Sequence, residues 1–115
     1  MTDPQVSFRV HREPGQVRLA VFGDLDLASA GELADRATEL IPDAHGLLVI
    51  DFSAVGFCDS AGIRALLTAR SAAMQAGCEL RLTGVKDRHV RWVLHVTALD
   101  TVISVDEPYE ASEGQ

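Results

Sequence analysis

Leu47-Leu48-Val49-Ile50 is apolar on both of the faces that a strand presents alternately. A chain carrying such a run must cover both sides of it, so the run predicts a strand in the middle of a sheet rather than at its edge. Its neighbours supply candidates for the rest of the sheet. Val6, Phe8 and Val10 alternate with polar residues, as do Val17, Leu19 and Val21, and between them stands Pro14-Gly15, a pair suited to a type II turn. This predicts an opening hairpin.

The helices follow from a different period. Ser29-Ala30-Gly31-Glu32 has the spacing of a capping box, Leu33, Ala37, Leu40 and Ile41 then share a face, and Pro42 ends the ladder. A connecting segment, Asp51 to Asp59, leads to a second helix over Ser60 to Ala76, with Ile63, Leu66, Leu67 and Met74 inward and Gly77 ending it. Arg64, Thr68, Ser71 and Gln75 are expected to face solvent. Leu80 and Leu82 mark a short strand. Val90, Val93, Leu94 and Leu99 mark a third helix capped by Asp87, and Val102-Ile103 is placed to close the sheet. The order ββαβαβα(β) predicts an α/β fold. It has a small mixed sheet of about four or five strands, opened by a hairpin, with helices packed against it and right-handed crossovers.

Length allows one shared core: 115 residues suit a single domain, taken as residues 1–105. Residues 106–115 are acidic and small apart from Tyr109 and read as a loose tail. No apolar run is long enough to span a bilayer, and Met1-Thr2-Asp3-Pro4 carries no secretory signal, so the expected location is the cytoplasm. Cys58 and Cys78 stand apart without a zinc pattern, and His11, His45, His89 and His95 lack ligand spacing, so neither metal nor cofactor is expected. A formal charge of −7 opposes contact with nucleic acid and leaves proteins as the expected partners.

The segment from Asp51 to Ile63 carries the chemistry. Ser60 stands at a helix start, where a hydroxyl can cap free N–H groups and where the helix dipole favours added negative charge. A phosphate there can be borne without unfolding the host, and the small Ala61 and Gly62 let a partner approach closely. The plainer reading makes Ser60 an N-cap and Asp59 a turn residue. Catalysis fits poorly. Cys58-Asp59-Ser60-Ala61-Gly62 lacks the first Gly of a nucleophile elbow and no base for Ser60 stands out, so no enzyme is expected. Cys58 reads as a buried space-filling thiol rather than a redox switch, and Trp92 as packing.

Together, Asp51-Phe52-Ser53, Val55, Phe57 and Asp59-Ser60-Ala61-Gly62-Ile63 resemble the signature of STAS-domain anti-sigma factor antagonists. Gly23-Asp24-Leu25-Asp26 resembles that family's second marked segment. The resemblance implies a STAS-like fold with Ser60 as phosphoacceptor. It places Asp26 at the partner surface, although that residue could equally cap the loop before the first helix, and Asp59, Ser60, Ala61, Gly62, Ile63 and Arg64, at or beside the acceptor, are expected to bind the partner with it. It also implies two partners: an anti-sigma factor with serine kinase activity, which the unmodified domain sequesters so that a sigma factor is freed, and a PP2C-type phosphatase. Ala61 departs from the family, where a second hydroxyl is common, as do Cys58 and Ala98. The same segment is compatible with a constitutive STAS adaptor of a lipid-transport ABC system.

Overall fold

The structure, a computed structural model, describes residues 6–106. The expected tail therefore lies outside the described residues except for Asp106. Pro14-Gly15 turns the chain between β1 (Val6–Glu13) and β2 (Gln16–Leu25), which pair antiparallel. Gly15 adopts φ +81°, the left-handed value that the third position of a type II turn requires. α1 (Ala30–Leu40) follows, then a short 3-10 turn over Ile41–Asp43 that carries Pro42, and then β3 (Leu47–Cys58). The chain continues through α2 (Ser60–Gln75), β4 (Glu79–Thr83), α3 (Arg88–Val96), a second 3-10 turn at Leu99–Thr101 and β5 (Ser104–Val105).

Among the described residues the strands form one mixed five-stranded sheet in the order β1-β2-β3-β4-β5, with β2 to β5 parallel and three α-helices as crossovers. Because each parallel strand is laid down beside the last in the same direction, right-handed crossovers put all three helices on one face. Burial follows that geometry. Val17, Leu19 and Val21 of β2, Leu48 and Ile50 of β3, and Leu80 and Leu82 of β4 are buried beneath the helices. The opposite face carries Arg18, Asp51 and Arg81, which are half-buried. Leu47–Ile50 is thus central, as its sequence requires, and Val49 is buried on the helix-free face at the register position between Arg18 and Arg81.

Several expectations need correction. β3 does not end at Ile50 but runs on to Cys58, so most of the supposed connecting segment is strand. Two register shifts, between Ala20 and Phe22 and between Gly23 and Asp24 of β2, each insert one extra residue in β3. Each extra residue turns the pleat by one position. Phe52, Val55 and Cys58, spaced by three, therefore all stay on the buried face. β5 forms at Ser104–Val105, after the predicted Val102-Ile103, and Val102 is exposed. Val10 is exposed as well, because β1 is an edge strand that no crossover helix spans.

On α2 the inward stripe is Gly62, Ile63, Ala65, Leu66, Ala69 and Ala73, whereas Leu67 and Met74 face solvent. Each of those two stands one position, about 100° of helical turn, past a buried residue. The small alanines let α2 lie close to α1 and the sheet. Asp87 caps α3, accepting the Val90 N–H at 3.0 Å, as its position predicts.

Candidate functional site

β2 and β3 are parallel neighbours, so the segments that leave their carboxyl ends emerge side by side. Leu25 and Cys58 are paired in register, and the Asp59 N–H donates to the Leu25 carbonyl at 3.1 Å. This brings the Asp26–Ser29 loop against the start of α2. Both marked segments of the sequence therefore lie at one end of the sheet.

Asp59, not Ser60, caps α2. Its extended backbone (φ −104°, ψ −167°) aims a carboxylate oxygen at the Ala61 N–H, 2.8 Å away. Ser60 is the first helical residue, exposed, and its hydroxyl is hydrogen-bonded to no other described residue. The reading of Ser60 as N-cap is thereby overturned: the better acceptor, a carboxylate, stands one residue earlier. Arg64 is exposed at the i+4 position from Ser60 and so lies on the same side of the helix.

Ala61 is half-buried, while Gly62 and Ile63 are buried. A Cβ at Gly62 would lie 2.5 Å from the Cys58 sulfur and 3.1 Å from the Leu25 Cβ. Gly62 is small so that α2 can begin directly over β2 and β3, which corrects the idea that it admits a partner. Gly62 and Ile63 hold the surface in place, and Asp59, Ser60, Ala61 and Arg64 present it.

Asp26 is half-buried and organises the neighbouring loop. Its Oδ1 accepts the Ala28 N–H at 3.0 Å and the Ser29 N–H at 3.2 Å, and its carbonyl accepts the Ala30 N–H at 2.9 Å. The predicted capping box at Ser29 does not form. The Ser29 hydroxyl is buried, donates to the Asp24 carbonyl at 2.7 Å and accepts the Asp26 N–H at 3.0 Å, so it ties the loop together instead of capping α1.

Between α1 and α2 lies a shallow groove of about 210 Å³, bounded by Leu27, Ala30, Ala34, Ala61, Arg64 and Thr68. Leu27 is 84% exposed at its mouth. Sequence reasoning passed over Leu27; an isolated Leu in a loop of polar and small residues is the signal that was available.

Cys58 is fully buried under this surface. Burial, reinforced by the Asp59 carboxylate, pushes its thiol up to about 12, so it is protonated at neutral pH and unsuited to redox signalling. Asp51 lies apart, on the helix-free face, 3.1 Å from Arg18. No cluster of metal-ligating side chains occurs among the described residues, and none of their helices is long and apolar enough to cross a membrane.

The family described as Mlab, STAS domain matches residues 8–104. The chain belongs to the STAS domain family. Among solved structures, an anti-sigma factor antagonist from Mycobacterium paratuberculosis is 25% identical, with a TM-score of 0.72 over 93% of this chain and 91% of its own. The anti-sigma factor antagonist SpoIIAA in its unphosphorylated form is 18% identical, with a TM-score of 0.71 over 87% of this chain and 88% of its own. The phosphorylated form of SpoIIAA, a Bacillus cell fate determinant, is also 18% identical, with a TM-score of 0.64 over 87% and 91%. The likeness to SpoIIAA is one of fold. No curated protein matches the sequence. This STAS domain thus has the predicted α/β mixed sheet and structural neighbours that are anti-sigma factor antagonists.

Proposed function

We propose that this chain is a cytoplasmic anti-sigma factor antagonist and no enzyme, with Ser60 as its switch and residues 1–105 as its STAS domain. In this reading the unmodified Ser60 face binds an anti-sigma factor with serine kinase activity and releases a sigma factor. The kinase transfers the γ-phosphoryl group of ATP to the Ser60 oxygen, whose proton is lost, and ADP leaves. A PP2C-type phosphatase returns the hydroxyl by hydrolysis. Asp26, Asp59, Ala61 and Arg64 would form the contact surface, with Gly62 and Ile63 beneath it.

One observation carries the reading: the Ser60 hydroxyl is exposed and plays no part in the cap, which Asp59 supplies. A group that the fold does not use can be modified without unfolding the fold. The modification would add about −1.5 to −2 charge beside the Asp59 carboxylate. It would also place that charge one helical turn from Arg64, which the phosphate could draw away from a partner. Both effects weaken docking.

Incubation with ATP and the cognate anti-sigma kinase, read by mass spectrometry, should add one phosphate, at Ser60. An unmodified product would count against the proposal. Ala61, where a second hydroxyl is common, keeps a second reading in view: a constitutive adaptor of a lipid-transport ABC system, in which Ser60 is an interface residue. Copurification with an ATPase subunit in place of an anti-sigma factor would favour it.

A further inference from the structure

Beyond the Ser60 surface, the structure exposes a ladder of stacked rings. Phe57, close to the end of β3, lies against His89 of α3 with ring centroids 6.3 Å apart and planes 14° apart; His89 in turn lies against Trp92 at 6.0 Å and 27°. Phe57 is 39% exposed and Trp92 48%. Trp92 therefore does not pack into the core, contrary to its sequence reading. The core side of α3 is formed by Val90 and Leu94.

The outer face of α3 continues the patch. Val96, one turn beyond Trp92, is 53% exposed, and Arg88, one turn before it, is exposed. Lys86 and Arg88 enter no ion pair with a described residue. Two exposed cations, on either side of the half-buried Asp87, thus stand beside exposed rings on a chain whose formal charge is −7, with Asp24 at the register position opposite Phe57. The patch is also close to Ser60: Phe57 precedes Ser60 by three residues, a span of at most about 10 Å even in extended chain.

We infer that the Phe57-His89-Trp92 ladder, with Lys86 and Arg88 at its rim, is a second docking patch for the protein that engages Ser60, and that it fits an apolar groove rimmed by carboxylates on that protein. Rings already stacked lose little freedom on binding, and buried aromatic anchors beside a cation are the side chains that carry most binding energy at interfaces. Two free cations on an acidic chain are too few to hold a nucleic acid or an anionic bilayer, whose affinity rises with each phosphate neutralised. The rings of His89 and Trp92 belong to α3, a different element from the α2 start that carries Ser60, so their contacts do not pass through the Ser60 oxygen and can persist when it is phosphorylated. Phosphorylation would then weaken the complex without abolishing it.

This inference rests on the anti-sigma factor reading, and the test separates the two. Titration calorimetry of the whole chain against the cognate anti-sigma factor compares wild type, Ser60→Asp, Trp92→Ala and Arg88→Glu. Circular dichroism and thermal midpoints verify that the surface variants stay folded. Trp92→Ala is expected to weaken binding ~10-fold or more, and Arg88→Glu several-fold, in both the wild-type and the Ser60→Asp background. The chain's single tryptophan, labelled with fluorine, should shift its one resonance when unlabelled partner is added. Wild-type binding that Ser60→Asp weakens but Trp92→Ala leaves unchanged, with an unmoved resonance, would overturn the ladder while sparing the switch. No binding by wild type would overturn both. Cosedimentation of wild type, but not of Trp92→Ala, with phosphatidylglycerol vesicles lacking partner would overturn it in favour of a membrane.

Discussion

The Asp59 carboxylate takes the Ala61 N–H at 2.8 Å, and the residue between them, Ser60, keeps its hydroxyl outside the helix cap. Capping and switching are thus divided between adjacent residues. Asp59→Ala should cost about 1 kcal/mol of stability, the usual loss when a carboxylate cap is removed. Ser60→Ala should stay within about 0.5 kcal/mol of wild type, as exposed substitutions do. Urea unfolding of the two variants checks this, and a larger loss at Ser60 than at Asp59 would reverse the assignment.

Ser60→Asp is the charge test. It adds a carboxylate next to Asp59 on an exposed site, so the thermal midpoint should hardly move. If facing that charge across the interface costs about 3 kcal/mol, affinity for the anti-sigma factor falls by about a hundredfold. Equal affinities by calorimetry would refute the electrostatic mechanism.

Much of this arrangement is legible in the sequence because the decisive signals are local. Pro14-Gly15 dictates a turn whatever surrounds it, Asp87 caps the helix it precedes, and Leu47–Ile50 cannot be other than interior. The misread features depend on neighbours distant in sequence. Ser29 has the spacing of a capping residue, yet its hydroxyl is drawn to the Asp24 carbonyl by a loop that Asp26 folds. Phe52, Val55 and Cys58 match neither a strand nor a helix period, because bulges opposite β2 create their spacing. Leu67 and Met74 look inward until the alanine stripe of α2 is seen to set the packing face. Trp92 looks like core until His89 is found stacked on it outside, with Phe57 stacked on His89 in turn.

Stability should depend on acid through Asp51. Burial opposes its ionisation, but the Ser53 N–H and hydroxyl and the Arg18 guanidinium outweigh burial and hold its carboxyl below the usual value. A carboxyl with a lowered folded-state pKa stabilises the fold fully above its unfolded value, about 3.9, and loses that contribution as pH falls through the lower folded value. Denaturant midpoints measured downward from pH 5 should therefore fall less steeply for Asp51→Asn than for wild type. Parallel slopes would show that Asp51 is not a linked group.

Gly62→Ala sets two effects against each other. In a helix the exchange gains about 1 kcal/mol of backbone propensity. Here the added Cβ would stand 2.5 Å from the Cys58 sulfur, closer than real contacts allow, and 3.1 Å from the Leu25 Cβ. Cys58 is short and fully buried, so it cannot swing aside, and α2 must lift from the sheet instead. Overpacking of this kind costs about 1–3 kcal/mol, so the net change should be destabilising and should displace Ser60 with the end of the helix that carries it. Shortening the neighbour relieves the clash: Cys58→Ala with Gly62→Ala should be less destabilised than the sum of the two single changes, the mark of residues in contact. Additive losses would mean that the start of α2 does not rest on Cys58, and that the height of Ser60 above the sheet is set by something else.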